Sequence, residues 1–258
     1  MNLNNQQERQ NQIIQLLKEK KYVTTYELVQ FLHFSESTIK RDLINLEKDG
    51  LIRRTRGGAI IIDNNKIDIP YLMKLTNINN DKVKQHLGSI CEQLIQDDMV
   101  LFIDSSSTCL HLINILSKFK GLKIITNGLV TASVISEYID ADVIIIGGKI
   151  VKKRWTINGS SAIFNIEKYH ADLAFISCRG YSIDNGATET TEGEAYIKQA
   201  FRRQAKEVVL VFDETKYNKN FMYQSLSNKD IDYVVTNTRF AQDEIEALNY
   251  YGIKTIIS

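Results

Sequence analysis

Seven short apolar runs, at residues 100–103, 122–125, 143–146, 173–176, 208–212, 233–235 and 255–257, constrain this chain more than any other feature. Each is rich in Val, Ile, Leu or Phe and has no polar alternation, so each predicts a strand buried on both faces. Amphipathic stretches near 82–96, 107–118, 129–139, 192–204 and 241–249 separate the runs and predict helices. Strands alternating with helices give the α/β class, with a mostly parallel sheet covered on its faces. Ligands of such sheets gather at the carboxyl ends of the strands.

The residues that follow the runs are therefore the ones to read for chemistry. After the first come Asp104, Ser105, Ser106, Ser107 and Thr108, leading into a predicted helix. A hydroxyl-rich turn there offers amide and hydroxyl donors to a phosphate, with the helix dipole in support. An ordinary N-cap is the alternative, but a cap needs only one of these oxygens. The second run ends in Thr126, Asn127 and Gly128, the third in Gly147, Gly148 and Lys149, and the fifth in Asp213-Glu214-Thr215-Lys216. Glycine lets backbone approach a ligand closely, Asn and Asp suit sugar hydroxyls, and lysine can meet a phosphate. All converge on one edge of the predicted sheet and form a candidate effector site. Lys198 joins them as a minor candidate, because a Glu194–Lys198 pair at i, i+4 is ordinarily a solvated helix support. Trp155 is read first as a core or surface residue, with a flap over this site, formed by Arg154 and residues 155–159, as the lesser alternative.

Upstream of residue 81 the pattern changes. Residues 63–80 are polar, asparagine-rich and hold the only proline, Pro70, and are read as a linker between domains at 1–62 and 81–258. The first 62 residues carry ten Lys/Arg against seven Asp/Glu, a net of +3 in a chain of net charge +1. That asymmetry favours DNA at the N-terminal end. Ile13, Ile14, Leu16 and Leu17 predict a helix over residues 6–20, and the capping box Thr24-x-x-Glu27 starts a second that carries Leu28, Phe31 and Leu32. Phe34 is read as core and His33 as exposed.

Ser35 then caps a third helix in which Ile39, Leu43 and Leu46 make one buried stripe. At about 100° per residue, Ser37, Lys40, Arg41 and Ile44 fall on the outward face. Ser35, Ser37, Thr38, Lys40 and Arg41 are thus the candidate DNA-contacting residues of this helix. Beyond Gly50, residues 51–56 and 59–62 predict two strands joined by Gly57-Gly58. Arg53, Arg54 and Arg56 lie near the tip of this hairpin, where guanidinium groups suit the phosphate backbone.

Together these motifs resemble a known family. Residues 8–59 resemble the winged helix-turn-helix of the DeoR-type bacterial repressors, through Glu8-Arg9, Val23, Glu27-Leu28, SESTIKRDL at 35–43, Leu46-Glu47, Gly50 to Arg54 and Gly57-Gly58-Ala59. Lys40 stands where an arginine is usual and Arg56 where a histidine is usual. The Asp-Ser-Ser-Ser-Thr turn, Thr-Asn-Gly, Gly-Gly and Asp-x-x-Lys resemble the sensor half of the same family in order and approximate spacing. The resemblance implies a winged helix-turn-helix followed by an α/β sensor domain related to ribose-5-phosphate isomerase. It also implies repression of an operon for sugar or carbohydrate metabolism, relieved by a phosphorylated sugar.

The expectation is therefore a transcriptional regulator that binds double-stranded operator DNA, not an enzyme. A two-fold operator requires at least a dimer, and a tetramer also satisfies it. Cys91, Cys109 and Cys178 are far apart and form no C-x-x-C pair, so neither a metal site nor another cofactor is expected. The chain has no membrane-length apolar run and no signal-peptide run, and the expected location is the cytoplasm. The rival reading is a sugar-phosphate isomerase-like enzyme with Asp213 as the carboxylate base, although no second acid or base stands out. A dinucleotide-binding protein is excluded, since no G-x-G-x-x-G follows a predicted strand.

Overall fold

The computed structural model describes residues 3–20, 22–48, 51–55, 57–61, 81–152 and 154–257. The chain divides into two compact units, Met1–Asn77 and Ile78–Ser258. The expected linker at 63–80, with Pro70, lies outside the described residues, as do Gly50 and Arg56.

The first unit contains α1 (Leu3–Lys20), β1 (Tyr22–Thr24), α2 (Thr25–Leu32), α3 (Glu36–Lys48), β2 (Ile52–Thr55) and β3 (Gly58–Ile61). The expected capping box starts α2: Glu27 N donates to Thr24 Oγ1 at 3.1 Å, and Thr24 N donates to Glu27 Oε2 at 2.8 Å. The helix stops at exposed His33, which adopts a left-handed φ of 57° and donates its N–H to Val29 O. Ser35 then caps α3 by accepting from Thr38 N at 3.3 Å. Ile39, Leu43 and Leu46 are buried against Ile13, Leu17, Val23, Leu28 and Ile52. Each such burial contributes about 1.5–3 kcal/mol relative to exposure and fixes the rotation of α3.

Phe34 differs from the expectation. It is 38% exposed, and the Arg9 guanidinium sits 4.6 Å from the centre of its ring. Its π-face covers a cation instead of filling the core. The hairpin forms as expected, with Gly57 at φ 94°, and β3 lies between β2 and β1 in an antiparallel sheet. The very short β1 carried no sequence signal of its own.

In the second unit the elements are α4 (Lys82–Ile90), β4 (Val100–Ile103), α5 (Ser107–Leu110), α6 (Ile113–Leu116), β5 (Lys123–Thr126), α7 (Leu129–Tyr138), β6 (Asp142–Ile145), β7 (Lys149–Val151), β8 (Thr156–Asn158) and α8 (Ser160–Ile166). They continue with β9 (Ala171–Ile176), β10 (Gly180–Ser182), β11 (Gly186–Glu189), α9 (Glu192–Gln204), β12 (Ala205–Phe212), β13 (Tyr223–Leu226), β14 (Tyr233–Thr236), α10 (Gln242–Tyr250) and β15 (Lys254–Ile257). All seven apolar runs enter one sheet of order β15-β14-β12-β9-β4-β5-β6, and every pairing in it is parallel. Alternate residues feed two cores: Phe102, Ala174, Ile176 and Leu210 on one face, and Leu101, Ile103, Phe175 and Val211 on the other.

The stretch expected to be helical at 107–118 is divided into α5 and α6, and α4 ends in a 3-10 turn over Cys91–Leu94. Two small antiparallel sheets, β10-β11-β13 and β7-β8, add to the main sheet. The strand order reverses between β4 and β9, so the two halves of the sheet wind away from each other there. A reversal of this kind opens a crevice at the carboxyl edge. No helix of the described residues is long and apolar enough to cross a membrane.

Candidate functional site

The outward face of α3 is built as the periodicity requires. Ser37, Lys40, Arg41 and Ile44 are exposed, and Thr38 is half-buried with its hydroxyl 2.8 Å from Ser35 Oγ. Ser35 Oγ also lies 2.9 Å from Ser37 Oγ, so three hydroxyls are joined at the start of the helix. Lys40 Nζ lies 2.7 Å from Glu36 Oε1, an exposed pair one helical turn apart. Behind the face, Asp42 is buried and is gripped by Arg9 of α1: Arg9 Nε donates to Asp42 Oδ2, and an Arg9 Nη donates to Oδ1 at 3.1 Å. Sequence reasoning gave neither residue a role.

The hairpin is tied to the same helix. Arg54 N donates to Glu47 Oε1 at 2.8 Å, and the exposed Arg54 guanidinium lies 3.7 Å from Glu47 Oε2. Arg53 pairs through its backbone with Ile60 in the β2–β3 ladder. Its side chain and the whole of Arg56 lie outside the described residues.

In the second unit, polar side chains meet where the strand order reverses. Asp104 follows β4 and is buried; its Oδ1 accepts from Ser106 N at 2.9 Å, and its Oδ2 accepts from Ser177 N, at the end of β9, at 2.9 Å. One carboxylate therefore joins the two strands across the reversal. Asn127, after β5, fixes the serine turn from the other side. Its Oδ1 accepts from Ser105 N at 3.0 Å, and its Nδ2 donates to Thr156 Oγ1 at 2.8 Å. Ser105 Oγ is 2.7 Å from Thr156 Oγ1, and Gly128 N donates to Thr126 Oγ1 at 3.1 Å. Gly128 has to be glycine, because a Cβ would sit 2.6 Å from Thr131 Oγ1 and 3.0 Å from the backbone of Ser105.

The serine turn is thus less free than its sequence implies. Ser106 is a real N-cap, accepting from Cys109 N at 3.1 Å, while Ser105 is bound to Thr156 and Ser107 O accepts from His111 Nδ1 at 2.7 Å. Thr108 Oγ1 and Ser177 Oγ are buried without a hydrogen-bond partner among the described residues.

Lys198, the minor candidate, is not the solvated support that its spacing from Glu194 would ordinarily make it. It is buried; its Nζ donates to Ser177 O at 2.6 Å and to Glu189 Oε1, and lies 3.6 Å from Asp104 Oδ2. Burial works against its charge, but the carboxylates of Glu189, Asp104 and Glu194 outweigh burial and raise its pKa. Burial pushes the Glu189 carboxyl up, against the pull of Lys198. Glu194 faces Arg154 instead, at 2.5 Å; burial opposes its charge, and Lys198 and Arg154 together still lower its pKa. The stretch weighed as a flap reaches the turn through Thr156, and Leu129 N donates to Trp155 O at 2.9 Å. Glu189 was missed because nothing local in the sequence marks it, and Thr156 was read only as part of the stretch at 155–159.

The remaining candidates are placed differently. Asp213 caps a 3-10 turn, accepting from Thr215 N at 3.0 Å and from the Thr215 hydroxyl. Half-buried Lys216 acts electrostatically on Cys178, as Lys198 does, yet burial dominates and pushes that thiol up to about 12. Gly147, Gly148 and Lys149 are exposed. A Cβ on Gly148 would meet Ile157, Ala162 and Asn158, so local packing explains that glycine without a ligand. Among the described residues no group of three or more His, Cys, Asp and Glu is placed to hold a metal ion.

Comparison with known proteins adds the family. Residues 9–65 match the DeoR-like helix-turn-helix domain, and residues 79–238 match the DeoR C terminal sensor domain. The chain is 31% identical over 237 residues to the HTH-type transcriptional regulator GolR of Listeria innocua, covering 90% of this chain and 91% of that one. It is 30% identical over 256 residues to the HTH-type transcriptional repressor GlcR of Bacillus subtilis, covering 98% and 96%. It is 29% identical over 232 residues to the glycerol-3-phosphate regulon repressor of Escherichia coli, covering 90% and 91%. A solved ribose 5-phosphate isomerase from Methanocaldococcus jannaschii aligns with 54% of this chain and 55% of its own at TM-score 0.40 and 16% identity, too distant a likeness to carry an argument. With both domains matched in order and relatives aligned along nearly the whole chain, this protein belongs to the DeoR family of DNA-binding transcriptional regulators.

Proposed function

We propose that this chain is a cytoplasmic repressor, without enzymatic activity, of an operon for sugar or carbohydrate metabolism. A phosphorylated sugar binding at the carboxyl edge of the seven-stranded sheet releases it from its operator. DNA contact belongs to Ser35, Ser37, Thr38, Lys40 and Arg41 of the third helix, with Arg53, Arg54 and Arg56 on the phosphate backbone. Effector contact belongs to Asp104 to Thr108, Thr126 to Gly128 and Lys198, with Gly147, Gly148, Lys149, Asp213 and Lys216 at the margins. A homodimer or homotetramer presents two reading heads to a two-fold operator.

The observation that carries this reading is the cluster of Asp104, Ser105, Asn127 and Lys198 at the strand-order reversal. Parallel sheets bind small ligands in that position. The relatives GlcR and the glycerol-3-phosphate regulon repressor are named as repressors, and the second name specifies a phosphorylated three-carbon compound. Release requires that the effector bind the DNA-incompetent arrangement more tightly, since equal affinity for both shifts nothing.

The test is fluorescence anisotropy on labelled DNA from upstream of the chain's own gene, titrated with phosphorylated and unphosphorylated sugars. Release by one or more phosphorylated sugars alone supports the reading. Release by the unphosphorylated sugars equally well overturns it.

One observation favours the isomerase reading: buried Glu189 and Asp104 beside Lys198 supply the acid and base groups that the sequence did not offer. Asp213, the base expected from sequence, is instead engaged as a cap. Turnover of an aldose phosphate by the purified chain, lost in Glu189→Gln, decides for the enzyme.

A further inference from the structure

Three protein oxygens surround the Lys198 ammonium: it donates to Ser177 O and to Glu189 Oε1, and Asp104 Oδ2 lies 3.6 Å away as an ionic neighbour. An incoming anion competes with these oxygens for the ammonium. Two are fixed. Ser177 O is main chain at the end of β9, and both oxygens of Asp104 are held by backbone amides, those of Ser106 and Ser177. Glu189 is held through its side chain, and Lys198 is the cation that holds it.

The setting of Glu189 suits movement. It is the last residue of β11, and β11 belongs to the small β10-β11-β13 sheet instead of the seven-stranded one. The register of β11 with β13 shifts between Ala187 and Thr188, directly before Glu189. Such an irregularity loosens a ladder locally. Burial raises the pKa of this carboxyl against the pull of Lys198, so away from the lysine it favours its neutral form unless it reaches solvent.

A second observation concerns the same edge of the sheet. Ser177 Oγ and Thr108 Oγ1 are buried, lie at the carboxyl edge of β9 and just beyond β4, and have no partner among the described residues. Hydroxyls donate readily to the oxygens of a phosphoryl group, and native proteins seldom leave such groups unsatisfied.

We propose that Glu189 is an internal counter-ion occupying the ligand's seat on Lys198, and that a phosphomonoester binds by displacing it and loosening β11. This rests on the sensing function proposed above and specifies how binding becomes movement: the displaced carboxylate carries the β10-β11-β13 sheet with it. Removing the carboxylate removes the competitor and part of the conformational cost.

The experiment uses the full chain in four forms: wild type, Glu189→Gln, Lys198→Met and, as a charge-retaining control, Lys198→Arg, with circular dichroism to verify folding. Isothermal titration uses inorganic phosphate, glycerol 3-phosphate, ribose 5-phosphate and glucose 6-phosphate, and hydrogen exchange follows residues 180–191. Glu189→Gln is expected to bind its best probe on the order of tenfold tighter than wild type, a typical coupling. Lys198→Met loses binding, Lys198→Arg retains part of it, and saturating probe speeds exchange in 186–189 of the wild type only. Weaker binding by Glu189→Gln overturns the inference, because Glu189 is then a contact of the ligand. Unaltered binding by Lys198→Met also overturns it, while leaving phosphate sensing intact. If no form of the chain binds any phosphorylated probe, the sensing reading falls and takes the inference with it.

Discussion

Arg9 of α1 and Asp42 of α3 form a two-pronged ion pair between residues 33 positions apart in sequence, with Asp42 buried and Arg9 partly so. Asp42 adjoins Arg41, so the pair sets the rotation of α3 from behind while Arg41 faces outward. The same guanidinium stacks on Phe34, in the turn that leads into α3. A single side chain therefore positions both the start and the middle of the helix proposed to read DNA.

Breaking that pair is expected to be expensive. Arg9→Met leaves a buried carboxylate without its cation, and such losses cost about 3–5 kcal/mol. Arg9→Met combined with Asp42→Leu removes both charges and is expected to recover a good part of that loss. Urea unfolding of the single and double variants measures this; a double variant no more stable than the single one contradicts it.

Arg41→Ala and Lys40→Ala are expected to separate. Arg41 has a fork suited to bidentate base contact, worth about 1–3 kcal/mol of discrimination, so its loss should reduce preference for operator over random DNA. Lys40 is a point charge already shared with Glu36. Its loss should weaken binding to all sequences and lower the salt slope by about one. Anisotropy titrations at several salt concentrations distinguish the two, and identical profiles count against the assignment.

Asn127→Ala should loosen the serine turn, because Asn127 satisfies Ser105 N and binds Thr156. A buried amide left unsatisfied costs about 1–3 kcal/mol. The variant is expected to unfold at lower temperature and to lose its response to effector while retaining affinity for DNA. Wild-type effector response in Asn127→Ala would show that the turn is not part of the site.

Glu27 gives a pH signature. The Thr24 backbone amide, followed by the Thr24 hydroxyl, lowers its pKa below the ordinary 4.5. The folded state therefore prefers the carboxylate, and its contribution is complete above pH 4.5 and fades as pH falls through the lowered value. Wild type and Glu27→Gln should differ in stability near neutrality and converge in acid. A difference that grows on acidification has the wrong sign.

The seven central strands could be read from sequence because burial on both faces leaves runs without polar interruption, as in 100–103 or 208–212. The strands β10, β11 and β13 could not, since Gly180, Gly186 and Ser225 break any such run. Contacts made at a distance were equally hidden. Glu194 and Lys198 have the spacing of a helix-surface pair, yet Lys198 turns inward because Glu189, supplied by a strand, lies beneath it. Asp42 entered the sequence reading only as part of the motif at 35–43, because its partner Arg9 comes from α1, 33 positions away. Phe34 was misjudged because apolarity marks a ring for burial but does not show that a cation lies over its face.

The reversal of strand order also affects how the chain is made. Strands β4, β5 and β6 leave the ribosome first, but the second neighbour of β4 is β9, which requires residues 171–176. Until then the nascent chain carries a bare apolar edge at Leu101, Phe102 and Ile103, a template for aggregation between copies. Slower translation or a holdase that shields this edge should raise the soluble yield, and truncation before residue 171 should give inclusion bodies.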